Sequence, residues 1–357
     1  MDNLNKLTIL LTIKDRVEFT FRWLQSMQEQ KCPYPILIAN GGQDKRLNQS
    51  IFDYIKKLDL NISYIEYPPD INLTFFLKKL INAMSRVTTE YIILADNDDF
   101  YDVANLAQLI YFLDTSASYS AARGKLINFE IFTQSGNSKG VCKGKYYEAY
   151  EVFSPSIDDT EGDLRIKLLF EGMSKFDYYA NWYSVVRHKD LIRIWREILT
   201  LGSNDMILME IVFHLRLVDL GKIKILPLNH YYRQRNTSQH GDTLVQNNIY
   251  LEKLIEDNSL MRLNFAINNL LSSTTDSRIK IIIESVSFWH RELISNILKS
   301  QKLGSSYFLN LRNFIRRSQI LKSFFQIMNS YAKKVIWKQT NIKSTRMDKF
   351  HSLIINK

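Results

Sequence analysis

Apolar residues in the first hundred positions follow two alternating patterns. Short continuous apolar runs are typical of strands buried on both faces, and they occur at LTILLTI (7–13), PILIA (35–39), ISYIEY (62–67) and YIILA (91–95). Between them, apolar residues recur at helical spacing over 17–30, 47–57 and 73–85. Strands that alternate with helices through short loops predict βαβ units, and hence an α/β fold with a mostly parallel central sheet flanked by helices.

The pattern after residue 100 is mixed. It predicts a helix near 104–114, a strand at ARGKLINFEIF (122–132), a loop over the turn-rich stretch 133–163, a strand running into a helix over 176–191, a helix over 204–219 capped by Ser203, and a strand at KIKIL (222–226). Beyond about residue 245 the pattern is helical. We therefore expect one domain over 1–240, with halves 1–100 and 101–240, and a helical, basic C-terminal region over 241–357.

Composition describes an ordinary globular chain. The 357 residues are 45% hydrophobic and 24% charged, which argues against general disorder. No run approaches the roughly 18 apolar residues of a membrane span, and the N-terminus lacks the basic segment of a signal peptide. Cys32 and Cys142 are the two cysteines, so neither a disulfide framework nor a thiolate zinc site is indicated. A cytoplasmic location is expected.

The net charge of +10 is concentrated at the end of the chain. Positions 301–357 carry twelve Lys and Arg residues and one acid, Asp348, so the first 300 residues are close to neutral. Apolar and basic residues alternate there as in a basic amphipathic helix, which suits an anionic membrane surface at the inner face of the membrane. Packing of the apolar face on the domain is the alternative. No nucleic-acid-binding motif accompanies the charge, and no nucleic-acid partner is expected.

The stretch YIILADNDDF (91–100) places three carboxylates directly after a buried strand. Such crowding is unfavourable unless a cation or a set of donors faces it. A calcium-binding EF-hand loop from Asp96 would need glycine and glutamate where Tyr101 and Ala107 stand, so that interpretation fails. Helix capping by Asp99 or Asp102 stays open. The third interpretation is an Asp-x-Asp site for Mg²⁺ or Mn²⁺, which prefer carboxylate oxygens.

Other polar residues follow the neighbouring predicted strands. Thr12–Arg16 comes after the first strand and Asn40–Gly42 after the second. In open parallel sheets, ligands bind beyond the carboxyl ends of the strands. These segments and Asp96–Asp99 are therefore expected to meet at one ligand site.

The order of these motifs resembles the nucleotide-sugar half of GT-A glycosyltransferases, with the closest match to the inverting family 2 and its relatives. Thr12 and Arg16 occupy the positions of that family's first-loop Thr and Arg, although Leu11 replaces the usual proline. The resemblance implies nucleotide contacts for Thr12 and Arg16, and ribose and metal-diphosphate contacts for Asp96 and Asp98. The remaining nucleotide-sugar candidates are Asn40, Lys79, Asn97, Arg233 and Arg235.

A second match lies downstream, where family members carry a helix acid eleven residues before a glycine that precedes a strand. Glu210 precedes Gly221 by eleven residues, and KIKILP follows. The resemblance therefore implies that Glu210 is the catalytic base, which an inverting transfer needs to deprotonate the acceptor hydroxyl. Asp205 is the competing candidate. His230 is a candidate third metal ligand beside Asp96 and Asp98.

Taken as implied by this resemblance, the function is a metal-dependent transfer of a sugar from a nucleotide-sugar donor, expected to be UDP-linked, to a glycan or lipid-linked glycan acceptor. Mn²⁺ or Mg²⁺ is the expected cofactor, and inversion the expected outcome. Two alternatives stay open: a retaining transferase on the same fold, and a non-catalytic module that binds a glycan or a membrane.

Overall fold

A computed structural model describes residues 5–133, 140–173, 178–202, 206–237, 284 and 347–355. Its strands are β1 (Leu7–Ile13), β2 (Ile36–Asn40), β3 (Ile62–Glu66), β4 (Tyr91–Ala95), β5 (Phe100–Tyr101), β6 (Tyr119–Phe132), β7 (Tyr146–Val152), β8 (Val185–Arg187) and β9 (Lys222–Gln234). Its helices are α1 (Val17–Glu29), α2 (Lys45–Ile55), α3 (Leu73–Met84), α4 (Val103–Thr115), α5 (Gly162–Met173), α6 (His188–Thr200), α7 (Met206–Leu220) and α8 (His351–Ile354), with 3₁₀ turns at Tyr178–Tyr183 and Asp348–Phe350.

Within the described residues, all nine strands form one sheet in the order β3-β2-β1-β4-β8-β6-β9-β5, and β7 pairs with β6. The pairs β1–β2, β2–β3, β1–β4 and β6–β9 are parallel. The other pairs are antiparallel. The expected α/β class, with a central sheet flanked by helices, is confirmed, and three of its four parallel pairs lie among β1–β4.

Helices cover both faces of the sheet, which explains the continuous apolar runs. Leu10 of β1 packs toward one face with Leu80 of α3 and Trp195 of α6. Its neighbours Ile9 and Leu11 pack toward the other face with residues of α1 and α4. Successive strand side chains point to opposite faces of the sheet. In a strand that helices cover on both faces, every side chain is therefore buried, and apolar residues are favoured at every position. Each fully buried aliphatic side chain contributes roughly 1.5–3 kcal/mol by its removal from water.

The first four predicted strands and three predicted helices are confirmed, with small shifts at their ends. Helix α2 begins at Lys45 rather than at 47, because the Asp44 carboxylate accepts hydrogen bonds from the backbone N–H groups of Arg46 (2.8 Å) and Leu47 (3.3 Å). Asn72 caps α3 in the same way through the N–H of Phe75. Gly221 ends α7 directly before β9, as expected from its place in the sequence.

Several expectations for the second half were wrong or incomplete. The stretch 133–163 is not simply a loop, because it contains β7, whose YYEAYEV sequence lacks an apolar run. Over 176–191 a 3₁₀ turn precedes the short strand β8, and the strand expected over 222–226 extends to Gln234. Ser203 and most of the region beyond 245 lie outside the described residues.

The described end of the chain packs back onto the domain. Phe350 stacks on Phe100 of β5 with ring centroids 4.6 Å apart and contacts Tyr232 of β9 edge-on. The backbone N–H of Gly144 donates to the carbonyl of Ile354 at 2.8 Å, and Lys349 pairs with Asp102 at 2.6 Å. Residues 347–355 thus pack on the domain, but the amphipathic stretch for which packing or membrane docking was expected precedes them. Residues 301–346 lie outside the described part of the chain.

This contact predicts a stability effect. Phe350 is fully buried, so Phe350→Ala should lower the free energy of unfolding by about 3 kcal/mol, from lost burial and the cavity left behind. Urea denaturation would measure the change. Lys349→Ala is the neighbouring control and should change stability by less than about 1 kcal/mol, since its ion pair is partly exposed. Equal effects of the two variants would contradict the packing.

Candidate active site

The strand order reverses at β1, and the candidate site lies beyond the carboxyl ends of β1 and β4. β1 lies between β2 and β4, so the chain leaves β1 toward one side and returns on the other. Ligands bind at such switch points in open α/β sheets. The loop after β1 carries Arg16, and the loop after β4 carries the acids.

The carboxylates of Asp96, Asp98 and Asp99 form one cluster. One ligand oxygen from each lies within 4.8 Å of the others, and among the described residues this is the group of His, Cys, Asp and Glu side chains spaced to hold a metal ion. Asp96 is half-buried, whereas Asp98 and Asp99 are buried. The predicted convergence of these acids is therefore present.

Asp98 faces the loop that follows β1. Both terminal guanidinium nitrogens of Arg16 donate to Asp98 Oδ2 at 3.1 Å, and the Thr237 hydroxyl donates to the same oxygen at 2.9 Å. The structure thus brings together Arg16 and Asp98, two of the residues singled out in the sequence. Thr237 was not anticipated.

Asp99 is tied to β9. Its carboxylate accepts hydrogen bonds from the Tyr231 hydroxyl and from the backbone N–H of Gln234, the latter at 2.8 Å. Burial, with the nearby charge of Asp98 as the next cause, raises the pKa of Asp99 well above its usual range. Asp99 therefore anchors the acid loop to the neighbouring strand, and it does not cap a helix.

Asp96 is bound by the 3₁₀ turn. The Tyr183 hydroxyl donates to Asp96 Oδ2, and the Tyr183 ring stacks on Tyr231 with centroids 4.2 Å apart. Burial, followed by the charge of Asp98, raises the pKa of Asp96 to about 6. The sequence pattern did not single out Tyr183 as a partner of the acids, yet its hydroxyl contacts a site carboxylate.

Arg22 contacts the acid loop from the core of the domain, and no pattern in the sequence predicts this role. Its buried guanidinium donates to the Asp98 carbonyl at 2.6 Å, to Gln234 Oε1 at 2.8 Å and to the Cys142 carbonyl at 2.7 Å. The ring of Phe100 lies 4.8 Å from its Cζ. Arg22 thereby joins α1, the acid loop, β9 and the 140–144 segment, and its positive charge lies close to the carboxylates.

The other first-half candidates lie at the same edge of the sheet. Thr12 is half-buried near the end of β1, beside Ala39 of β2. The Asn97 amide donates to Thr20 Oγ1 at 3.0 Å and thereby ties the acid loop to α1. Asn40 shapes the turn after β2, because its Oδ1 accepts from the N–H of Gly42 at 2.8 Å.

Lys79 points inward. Its ammonium donates to the carbonyl of Ile13 at 3.2 Å and pairs with Asp70, and both side chains are buried. Burial lowers the pKa of Lys79, and the Asp70 carboxylate opposes that shift. In this arrangement Lys79 fixes the loops after β1 and β3, and its role as a nucleotide contact stays a prediction.

The two arginines near the end of β9 differ. Arg233 is half-buried, and its charge opposes the rise in the pKa of both Asp96 and Asp99. Arg235 is exposed, and its backbone N–H donates to the carbonyl of Phe129 at 2.9 Å. Arg233 is therefore electrostatically part of the site.

Of the two candidate bases, the structure describes Glu210 but not Asp205. Glu210 is half-buried in the second turn of α7, where its carbonyl accepts a hydrogen bond from His214 Nδ1 at 2.6 Å. Asp205 lies outside the described residues. Both assignments stay predictions.

His230 is fully buried beside Tyr101, with ring centroids 5.4 Å apart. Among the described residues neither of its ring nitrogens has a hydrogen-bond partner, and it is not a member of the carboxylate cluster. Burial, followed by the charge of Arg123, lowers the pKa of His230 to about 3. Its role as a metal ligand stays a prediction that this geometry does not support.

The cluster fits a hard divalent cation. Its donors are carboxylate oxygens, which Mg²⁺ and Mn²⁺ prefer, and burial has raised the pKa of Asp96 and Asp99 as expected of a site short of positive charge. Asp96 and Asp98 would be the ligands, since Asp99 is occupied by Tyr231 and Gln234. Protein donors already relieve part of the repulsion, so the acids do not require a cation to be accommodated.

Solved structures of TarS and of a mannosyltransferase are similar to this chain. A fragment of TarS from S. aureus (1–349) is 12% identical, with a TM-score of 0.43 over 85% of this chain and 93% of that chain. The same fragment in complex with UDP-GlcNAc is 13% identical, with a TM-score of 0.41 over 80% of both chains. The mannosyltransferase PcManGT from Pyrobaculum calidifontis, in complex with GDP-Man and Mn²⁺, is 8% identical, with a TM-score of 0.44 over 95% of this chain and 88% of that chain.

No family model matches the chain, and neither does any curated protein. Likenesses at such identities and TM-scores assign no function to this chain. Its α/β class follows from its own sheet order. Across the described residues, no helix is long and apolar enough to span a membrane.

The burial of His230 predicts a pH effect on stability. The unfolded chain takes up a proton on this histidine near pH 6.5, but the folded protein does so only near pH 3. The unfolded state therefore binds more protons in this window, so stability should fall as pH decreases from about 6.5 toward 3. Urea denaturation of wild type and His230→Leu at several pH values should show a flatter profile for the variant.

The same variant tests the ligand hypothesis. Because His230 lies outside the carboxylate cluster, His230→Leu should bind Mn²⁺ as tightly as wild type. A matched control is His351→Leu at an exposed position of α8, which should also bind Mn²⁺ as tightly as wild type. Loss of Mn²⁺ binding in His230→Leu would instead identify His230 as a ligand.

Proposed function

We propose that this protein is a metal-dependent glycosyltransferase that moves a sugar from a nucleotide-sugar donor, UDP-linked by expectation, to a glycan or lipid-linked acceptor with inversion. The observation that carries the proposal is the meeting of Arg16 with Asp98 across the β1–β4 switch point. There a cationic side chain is hydrogen-bonded to an acidic, metal-compatible cluster. A nucleoside diphosphate has chemistry that matches both, since its phosphates coordinate divalent cations and accept bidentate arginine hydrogen bonds.

Asp96 and Asp98 would hold Mn²⁺ or Mg²⁺, with Asp96 also near the ribose. When bound, such an ion supplies Lewis-acid stabilisation of the charge that develops on the departing diphosphate. Arg16 and Arg233 add positive charge on the protein side. Tyr183 fixes the Asp96 carboxylate and Arg22 fixes the Asp98 backbone, so the ligands are oriented before the donor arrives.

Glu210 is the proposed base. A half-buried carboxylate on a helix that packs against the 3₁₀ turn of Tyr183 has the chemistry to accept the proton of an acceptor hydroxyl. Transfer with inversion follows if the deprotonated hydroxyl attacks from the face opposite the diphosphate. Membrane association through the part of 301–357 that precedes the packed segment 347–355 is also part of the proposal, at the inner face of the membrane where lipid-linked acceptors would be reached.

The donor should be identifiable by thermal shift. A ligand that binds only the folded state at one hundred times its Kd stabilises it by about 2.7 kcal/mol, so a screen of nucleotide sugars with and without Mn²⁺ should show one strong, Mn²⁺-dependent stabiliser. Asp98→Asn keeps the shape but removes the charge, and it should abolish both this shift and metal-stimulated donor hydrolysis. Asp53→Asn, at an exposed pair on α2, is the control and should behave as wild type. Unchanged hydrolysis in Asp98→Asn would exclude the proposal.

Substitution of the proposed base should impair sugar transfer without impairing donor binding. Glu210→Gln should lower kcat for transfer by about 10²–10⁴ while the Mn²⁺-dependent donor shift is kept, because the amide cannot take up the acceptor proton. Asp205→Asn is the competing variant, and loss of transfer there but not in Glu210→Gln would move the role to Asp205. Anomeric analysis of the product by NMR reports inversion, and a retained configuration would exclude a base role for either residue.

A further inference from the structure

We infer that Arg16 is a resident counter-cation of Asp98 that must be displaced when a divalent cation binds, and that the donor diphosphate draws it away. Metal binding would thereby depend on the donor. This inference rests on the proposed function and adds a regulation of the same site.

The first support is the position of the guanidinium. Two of its nitrogens share one carboxylate oxygen, Asp98 Oδ2, which is also bound by Thr237. The Arg16 side chain is 28% exposed, whereas that of Asp98 is 3% exposed. Arg16 therefore covers Asp98 from the solvent side, where an incoming cation would have to approach.

The second support is that Asp98 is held in place whereas the guanidinium end of the Arg16 side chain is not. Arg22 holds the Asp98 carbonyl at 2.6 Å from within the core, and Tyr231 holds the adjacent Asp99. Among the residues that the structure describes, none anchors the Arg16 side chain in this way, and it otherwise lies over the ring of Phe19 at 4.2 Å. When the two separate, Arg16 is the partner expected to move.

The third support is the backbone of the loop. Asp15 and Arg16 both have φ of 57°, a left-handed conformation that is unfavourable for residues with a Cβ. The Arg16 carbonyl is kept in place by the N–H of Thr20 at 3.1 Å and by the Asn97 amide at 3.4 Å. Two consecutive strained residues persist where the surroundings impose them, and here the imposed result is the Arg16–Asp98 contact.

A diphosphate offers Arg16 a replacement partner. Phosphate oxygens accept the same two parallel N–H donors as a carboxylate, so Arg16 loses no hydrogen bonds by the exchange. The metal then gains the Asp98 oxygen that Arg16 had covered. By linkage, any donor that removes Arg16 from Asp98 must strengthen metal binding, and the metal must strengthen donor binding by the same factor.

Binding of Mn²⁺ alone to the full chain tests the competition without any turnover. Titration followed by electron paramagnetic resonance of free Mn²⁺ should give an affinity about tenfold higher for Arg16→Gln than for wild type, because a cation close to the ion has been removed. Arg16→Lys keeps the charge and should stay near the wild-type affinity. Lys45→Gln removes an exposed cation paired with Glu66 and should also match wild type. Equal or weaker binding in Arg16→Gln would overturn the inference.

A second titration in the presence of UDP tests the exchange. UDP should raise the Mn²⁺ affinity of wild type by a larger factor than that of Arg16→Gln, in which nothing has to be displaced. Equal factors would overturn the exchange. Thermal unfolding of each variant confirms that it is folded, and Mn²⁺ binding by none of the folded proteins would also overturn the inference.

The proposed function fails separately from this inference. Tighter Mn²⁺ binding in Arg16→Gln together with no transfer or hydrolysis of any nucleotide sugar by wild type would support the competition and exclude the enzyme. Turnover by wild type with unchanged Mn²⁺ affinity in Arg16→Gln would support the enzyme and exclude the competition between Arg16 and the metal ion.

Discussion

Repulsion among three neighbouring carboxylates is the constraint on which the second half of the protein depends. Asp96, Asp98 and Asp99 follow one another at the end of β4, and each is met by donors from a different part of the chain. Tyr183 reaches Asp96 from the 3₁₀ turn, and Tyr231 reaches Asp99 from β9. Without these hydrogen bonds, repulsion among the carboxylates would favour other conformations of the loop at the edge of the sheet.

The same contacts bind the two halves of the molecule into one unit. Arg22 lies on a helix of the first βαβ unit, yet two of its partners are Gln234 and the Cys142 carbonyl. A buried guanidinium that lost these partners would leave unsatisfied donors in a medium that solvates them poorly, which is costly. The contacts that shape the candidate site therefore also hold the two halves of the domain together. A change in the geometry of the site should for that reason also change the stability of the domain.

The sequence predicts the parts of the molecule that depend on local pattern. Strand β1 and the helix after it follow from periodicity, and the acids after β4 follow from the rule that parallel sheets bind ligands at their carboxyl ends. Local pattern does not show long-range pairing. Tyr231 and Asp99 are 132 positions apart, and nothing near either residue marks it as the partner of the other. Strand β7 was missed because its alternating tyrosines and glutamates do not form an apolar run.

The packing of Phe350 on Phe100 has a consequence for the order in which the protein is made. The two residues are separated by 250 positions of the printed sequence, and ribosomes add about 5–20 residues per second. The acid loop thus leaves the ribosome roughly 12–50 s before the segment that covers its neighbouring strand. For that interval β1–β4 have to fold with a charged loop whose tyrosine, arginine and aromatic partners have only partly been synthesised. Until Phe350 is made, the Phe100 ring has only earlier residues to pack on, such as Phe129, whose ring centroid lies 5.8 Å away.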